Sequence, residues 1–196
     1  MAELGKLEYY LLAINVIGAL VYLINMLLYR HTARGQIDVV VTIVSLLGGS
    51  AGMLLMILLF DRKAEKENMM SRVFIICVFV IQVIVLLIFK GHHAEHFTFA
   101  FWKFFAEHRI LLIYLGIMNL VTFIAFAIDK ANAKAHRSRI RIVTLLGLSF
   151  AGGSVGGLIS MYLFRHKTQK DYFTVGMPLI IVMQVVVLFY AMNAGW

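Results

Sequence analysis

Proline, cysteine and charge are all scarce in this chain of 196 residues: it has one proline, one cysteine and only 14% charged residues. So few charges cannot cover the surface of a soluble domain of this size, and 62% of the residues are hydrophobic. With a mean hydropathy of +0.89, the composition is that of an integral membrane protein. The single Cys77 excludes an internal disulfide, and its place inside an apolar run makes it a packing residue. No Ser or Cys nucleophile arrangement and no zincin motif is present, which leaves a purely hydrolytic role without support. Strict alternation of apolar and polar residues is missing too, which excludes barrel strands. The first residues contain no short apolar region followed by a small-residue cleavage site, so the sequence predicts a retained first helix from residue 9.

Apolar runs are abundant. They lie near 9–29, 37–60, 73–89, 110–128, 142–164 and 174–194. Each holds roughly 17–24 residues, enough at about 1.5 Å per residue to cross a hydrocarbon core of about 30 Å. Backbone groups in lipid must pair within their own segment, so the expected fold is all-α: a polytopic helical membrane protein of about six transmembrane helices. The net charge of +8 sits almost wholly in the loops. Such loops face lipid headgroups, which makes the bilayer the primary partner and argues against nucleic acid.

The chain also contains a shifted copy of itself. An offset of 104 positions aligns Tyr10 with Tyr114, Asn15 with Asn119, Gly48-Gly49-Ser50 with Gly152-Gly153-Ser154, and Gly52 with Gly156. The same offset aligns Phe60 with Phe164, Lys63 with Lys167 and Lys66 with Lys170. This predicts two tandem three-helix repeats, residues 1–90 and 110–196, with the first diverged, joined by a linker over 91–109. Glycines at small-xxx-small spacing (Gly48/Gly52, Gly49, Gly152/Gly156, Gly153) are expected to let helices approach closely, and Asn15 and Asn119 to bond between helices.

Two membrane arrangements follow. If all six runs cross, eight Lys and Arg fall on one side and ten on the other, and the two repeats are inverted twins. If the second and fifth runs, each holding Gly-Gly-Ser-x-Gly, dip in and return, fourteen basic residues share one side against Lys6, Lys90, Lys103 and Arg109. Run length and hydrophobicity favour six crossings, and the expectation taken is an inverted pseudo-twofold; charge favours the re-entrant form.

The linker reads GHHAEHFTFAFWKFFAEHR. Its aromatics, Phe97, Phe99, Phe101, Trp102, Phe104 and Phe105, suit a helix or turn in the headgroup layer. His92, His93 and His96 lie within helical reach of one another, which makes them a candidate zinc or copper site; solvated interfacial polar residues are the plainer alternative.

The densest pattern lies in the second repeat. Asp129-Lys130 and Ala133 are followed by Arg139-Ile140, Thr144-Leu145, Gly152-Gly153 and Gly156, then by Arg165-His166-Lys167-Thr168, Lys170 and Phe173. Over about 114–190 this resembles the bacterial membrane-protein family of domain of unknown function 1294, whose pattern runs D-K-x-x-A, R-I-P-E-x-T-L, G-G-x-x-G-A and R-H-K-T-x-K-x-x-F. Arg141, Ile142 and Gly157 depart from it. The resemblance implies the bacterial inner membrane, multi-pass, and no known activity or cofactor. In the first repeat Asn25 and Met26 stand opposite Asp129 and Lys130, and Asp61-Arg62-Lys63-Ala64 opposite the R-H-K-T run.

Arg165, His166, Lys167, Thr168 and Lys170 are the types that hold phosphate oxygens, so with Asp129, Lys130 and Arg139 they form the candidate ligand site. Asp129 is expected to pair with Lys130, Arg139 or Arg165. Lys130, Lys134, Arg137 and Arg141 make a cationic stripe if the helix continues past Asp129. Ordinary juxtamembrane charge that fixes orientation explains the same residues. The leading functional expectation is a small carrier or binding protein for an anionic phosphate-bearing or lipid-headgroup ligand. A membrane methyltransferase- or reductase-like enzyme is an alternative, because Arg-His followed by an aromatic resembles the R-H-P-x-Y element of such enzymes. A structural or assembly protein is another, and a homo-oligomer stays open.

Overall fold

The computed structural model describes residues 5–31, 38–63, 65–92, 94 and 97–194. Helices make up most of it, and no strand occurs among the described residues. Six helical segments are long and apolar enough to cross a membrane: Lys6–His31, Asp38–Phe60, Met69–Phe89, Arg109–Lys134, Ile142–Leu163 and Asp171–Asn193. The chain divides into two compact units, Met1–Val83 and Ile84–Trp196.

The first unit is built from α1 (Lys6–His31), α2 (Asp38–Val44), α3 (Ser50–Phe60) and most of α4 (Met69–Phe89). Between α2 and α3, Ser45–Gly49 form a π-helical turn in which Gly48 takes φ +115° and ψ 0°. That left-handed conformation is open to glycine at no steric cost, and it turns the helix back on itself. The tip lies near the start of α1, where the Tyr10 hydroxyl donates to the Leu47 carbonyl at 2.8 Å. The far end of α3 lies near the end of α1, where Arg30 Nη2 donates to the Phe60 carbonyl at 3.0 Å. Asp38, which opens α2, accepts from the Ser71 hydroxyl at 3.3 Å, and the adjacent Arg72 reaches Asp61 just past α3. Both ends of the 38–60 segment therefore sit at one end of the unit, where a straight helix of that length would hold them roughly 33 Å apart. Tyr22, Val41, Met53, Ile57 and Ile75 pack as the core beneath this hairpin.

The second unit contains α5 (Phe101–Glu107), α6 (Arg109–Lys134), α7 (Ile142–Leu148), α8 (Ser154–Leu163), α9 (Asp171–Thr174) and α10 (Gly176–Asn193). Here Ser149–Gly153 form the π-helical turn, and Gly152 has φ +113° and ψ 0°. Tyr114 Oη donates to the Ala151 carbonyl at 2.7 Å near the start of α6. Near its end, Asp129 meets both Ile140, before α7, and His166, after α8. A straight helix would place residues 140 and 166 roughly 39 Å apart. The fifth segment thus doubles back, α7 running against α6 and α8 alongside it. This differs from the straight crossing that run length favours, and the left-handed glycine is the reason. Phe126, Leu145, Met161, Phe173, Met177 and Ile180 are fully buried between these helices.

The glycines that flank the turn set how closely the helices approach. A Cβ at Gly156 would collide with the Asn119 carbonyl oxygen, one at Gly153 with the Thr122 hydroxyl, and one at Gly52 with the Asn15 carbonyl oxygen. The linker is not a continuous helix. Asn193 pins its middle, accepting from Thr98 N–H at 2.6 Å and donating to the Thr98 carbonyl at 3.1 Å. Phe97 stacks on Phe189 with centroids 5.9 Å apart, and only Phe101–Glu107 are helical.

Candidate functional site

Turning a helix inside an apolar segment frees carbonyls that lipid cannot satisfy, and each costs about 1–3 kcal/mol if left unpaired. In the second unit every freed carbonyl of the turn finds a side chain. Gln184 Nε2 donates to Ser149 and Phe150 (2.7 and 3.2 Å), Tyr114 to Ala151, and Asn119 Nδ2 to Gly152 at 2.9 Å. Asn119 Oδ1 also accepts from Gly156 N–H at 2.7 Å, and Ser154 donates to Gln184 Oε1. The first unit repeats most of the set: Gln82 Nε2 donates to Ser45 and Leu46, Tyr10 to Leu47, Gly52 N–H to Asn15 Oδ1, and Ser50 to Gln82 Oε1. The interhelical bonds expected of Asn15 and Asn119 are thus cap bonds on the hairpin.

At the hairpin mouth of the second unit lies a buried carboxylate. Asp129 is fully enclosed. Its Oδ1 accepts from Ile140 N–H at 2.8 Å, while Oδ2 accepts from His166 Nε2 and Lys167 Nζ, both at 2.8 Å. Asp129 therefore ties the segment that enters the hairpin to the turn that leaves it, instead of pairing with Lys130, Arg139 or Arg165. Lys167 Nζ also lies 5.0 Å from the centroid of the Phe173 ring, within cation–π range. Burial pushes the Lys167 ammonium below the usual lysine range and the charge of Arg139 acts in the same sense, against the pull of Asp129.

The exit turn is held in an uncommon backbone shape. After α8, Arg165 N–H bonds to the Tyr162 carbonyl and His166 N–H to the Met161 carbonyl, a Schellman closure with Arg165 in the position glycine usually takes. Arg165 and Lys167 have φ of +44° and +61°, each costing about 1–3 kcal/mol for a non-glycine residue. The two bonds from His166 and Lys167 to Asp129 offset that strain. At the end of α6, His136 has φ +53° and Arg137 N–H bonds to the Asn132 carbonyl. The helix stops at Lys134, so the cationic stripe is broken: Lys130 and Lys134 lie on α6, Arg137 and Arg141 beyond it.

Of the eight residues in the sequence-based ligand site, the structure brings Asp129, His166 and Lys167 into direct contact. Arg139, Arg165 and Lys170 are exposed at the rim, and Lys130 and Thr168 are half-buried. Neither Arg139, Arg165 nor Lys170 forms an ion pair among the described residues. Of the candidate metal ligands, His92 is exposed, whereas His93 and His96 lie outside the described residues. Among the described residues no group of three His, Cys, Asp or Glu could hold a metal ion.

The first unit has a carboxylate node that the sequence reading did not single out. Asp61, 2% exposed, accepts from the Tyr22 hydroxyl at 2.7 Å and from Asn68 Nδ2 at 3.0 Å. Arg72 and Arg30 approach it at 3.3 and 3.7 Å. An acid at the end of an apolar run, with an arginine eleven residues on, was the available signal.

Residues 119–173 match the family described as "Protein of unknown function (DUF1294)". That stretch runs from the Asn119 cap through the hairpin and the Asp129 clamp to Phe173. No solved structure matches the chain. An uncharacterized protein of Bacillus subtilis (strain 168), YsdA, is 34% identical over 79 residues, which is 40% of this chain and 89% of that protein. With that pattern and that coverage, the chain belongs to the DUF1294 family of proteins of unknown function.

Proposed function

We propose that the protein is a multi-pass membrane protein made of two copies of one module, two spanning helices around a re-entrant hairpin, and that it binds an anionic, phosphate-bearing ligand at the clamp rim of the second copy. Support for the duplication is that the tyrosine and asparagine cap bonds recur at the same 104-residue offset as the sequence matches. Each unit taken alone has a charge bias that a re-entrant hairpin explains. In the first, Arg30, Arg62, Lys63, Lys66 and Arg72 belong to the clamp end against Lys6 at the other. In the second, eight Lys and Arg from Lys130 to Lys170 oppose Lys90, Lys103 and Arg109. Lys/Arg-rich loops face the cytoplasm, so each clamp end is assigned to the cytoplasmic face of a bacterial inner membrane.

The observation that carries the binding reading is how Asp129 is used. Its two oxygens are taken by Ile140 N–H, His166 and Lys167. Arg139, Arg165 and Lys170 remain exposed around a turn whose shape the clamp fixes. Arginine forks and a lysine on a rigid turn suit phosphate oxygens, whether on a lipid headgroup or a free metabolite. Glycerol phosphate, which has no acyl chain, tests the rim directly: the purified chain in detergent should bind it saturably. The triple variant Arg139→Gln/Arg165→Gln/Lys170→Gln should lose at least tenfold in affinity with its thermal unfolding unchanged. Equal binding by that variant, or none by the parent, would refute the reading.

A further inference from the structure

The hairpin of the second unit stops short of the end of α6 opposite the clamp, and the space beyond its tip is not filled. A crevice of about 350 Å³ lies there, lined by Leu115 and Asn119 of α6, by Ala151 and Val155 of the tip, and by Gln184 and Leu188 of α10 among others. That volume lies in the range of small-molecule sites. Its walls are almost wholly apolar, and its few polar groups are already engaged: Asn119 and Gln184 cap the hairpin carbonyls. A polar ligand would find no free partner in it, whereas a hydrocarbon chain needs none.

Leu111 lines this crevice and also a wider concavity of about 850 Å³, which is bordered by Glu107, His108, Arg109, Ile110 and Tyr114 at the break between α5 and α6. The two spaces therefore adjoin at Leu111, the inner one apolar and the outer one a mouth bordered by charged residues. Arg109 and His108 stand at that mouth with one acid, Glu107, and Lys103 lies on the preceding turn of α5. His108 Nδ1 is held by the Phe104 carbonyl at 2.9 Å and its ring stacks on Phe104 with centroids 4.4 Å apart, so the imidazole is fixed at the mouth. Trp102, 90% exposed, and Ile110, 85% exposed, flank the break. An exposed indole beside a basic residue at the end of an apolar helix marks the headgroup level of a bilayer.

We propose that this groove is a binding site for an anionic phospholipid, with one acyl chain in the crevice against the hairpin tip and the phosphate at Arg109. The charge balance of the mouth favours an anionic over a zwitterionic head, and the dry walls favour a chain over a soluble metabolite. This site is at the opposite end of the unit from the Asp129 rim, so it stands or falls independently of the function proposed above.

The probe is 1-palmitoyl-lysophosphatidylglycerol, compared with 1-palmitoyl-lysophosphatidylcholine, added to the delipidated full chain in detergent. The expected result is saturable retention of about one lysophosphatidylglycerol per chain and at least fivefold weaker retention of lysophosphatidylcholine. Val155→Trp and Val185→Trp replace exposed side chains that line the crevice, so they fill it without disturbing the core, and each should reduce retention at least tenfold. Arg109→Gln should abolish the preference for the anionic head while leaving chain binding. A second readout covers a variant that fails to fold: in a Cys77→Ala background, Val155→Cys should react with a thiol reagent and be protected by lysophosphatidylglycerol. Equal retention of both lipids by the parent, unchanged retention in the folded tryptophan variants, or no protection of the cysteine would each overturn the proposal.

Discussion

The two units close their hairpins with the same device built the other way round. In the second, the carboxylate belongs to the long helix, Asp129 on α6, and its partners His166 and Lys167 come from the turn after the hairpin. In the first, the carboxylate belongs to that turn, Asp61, and its partners Tyr22 and Arg30 come from the long helix α1, with Asn68 just before α4 and Arg72 in its first turn. At the position 104 residues before Asp129 stands Asn25, buried and neutral; 104 residues before Arg165 stands Asp61 itself. A doubled-back hairpin needs a buried polar tie at its mouth to fix both ends. The long helix and the turn after the hairpin can exchange the acid, provided the other supplies donors. The difference lies in the donors: two basic side chains and a backbone N–H on Asp129, against a phenol, an amide, one nearly buried arginine and one half-exposed arginine on Asp61.

Removing the acid gives the largest effect. Asp129→Ala would strand His166 and Lys167 in a buried place and is expected to cost about 3–5 kcal/mol, read as thermal unfolding in detergent. Asp129→Ala/Lys167→Met should recover part of that loss, because deleting both partners avoids the unpaired charge. Asp61→Asn should be milder than Asp129→Asn, since Tyr22 and Asn68 can still donate to an amide oxygen. If the two cost the same, the contrast between the clamps is not one of charge.

The glycine contacts should behave alike in both units. Gly156→Ala and Gly52→Ala each force a methyl into a backbone carbonyl and should cost about 1–3 kcal/mol. Gly116→Ala, with nothing within 4 Å of its Cβ, should be neutral or slightly stabilising. A loss of about 2–6 kcal/mol is expected from Gln184→Leu and from Gln82→Leu, each leaving two hairpin carbonyls unpaired.

The smallest effect separates the units by pH. Lys167 is depressed in the folded protein, so between its folded pKa and the ordinary lysine value the unfolded chain binds more protons. Stability should therefore rise with pH across that alkaline window, and Lys167→Met should remove this rise. Unfolding midpoints of parent and variant between pH 8 and pH 10.5 test the sign.

Much of this was legible in the sequence, and the exceptions have physical causes. Six apolar runs of membrane length correspond to six helical segments, because run length reports helix length directly. The doubling back was legible only in the loop charges, which favour a re-entrant form, while run length points to the straight crossing taken as the expectation. Gly-Gly-Ser-x-Gly serves equally as a small-residue packing stripe or as a left-handed turn, and residue types alone do not separate these uses. Gln82 and Gln184 escaped as a pair because they stand 102 positions apart, so an ungapped offset of 104 does not align them. Asp61 escaped because it occupies a place where the second unit has a cation, which looks like loss of the motif until the partners on α1 are seen. The residue types place Asp129, His166 and Lys167 in one candidate ligand site but do not show that they pair with one another, since the turn that folds His166 and Lys167 inward depends on left-handed Arg165 and Lys167.

The central claim, that the glycine-broken segment of the second unit enters and leaves at one end, can be tested without any ligand. In a Cys77→Ala background, Ser138→Cys and Gln169→Cys place single thiols on the exposed loops before and after the hairpin. Labelling intact cells and then inverted membrane vesicles with an impermeant maleimide should report both positions on the same side, reactive only in the inverted vesicles. Labelling of the two on opposite sides would show a straight crossing and contradict the re-entrant module.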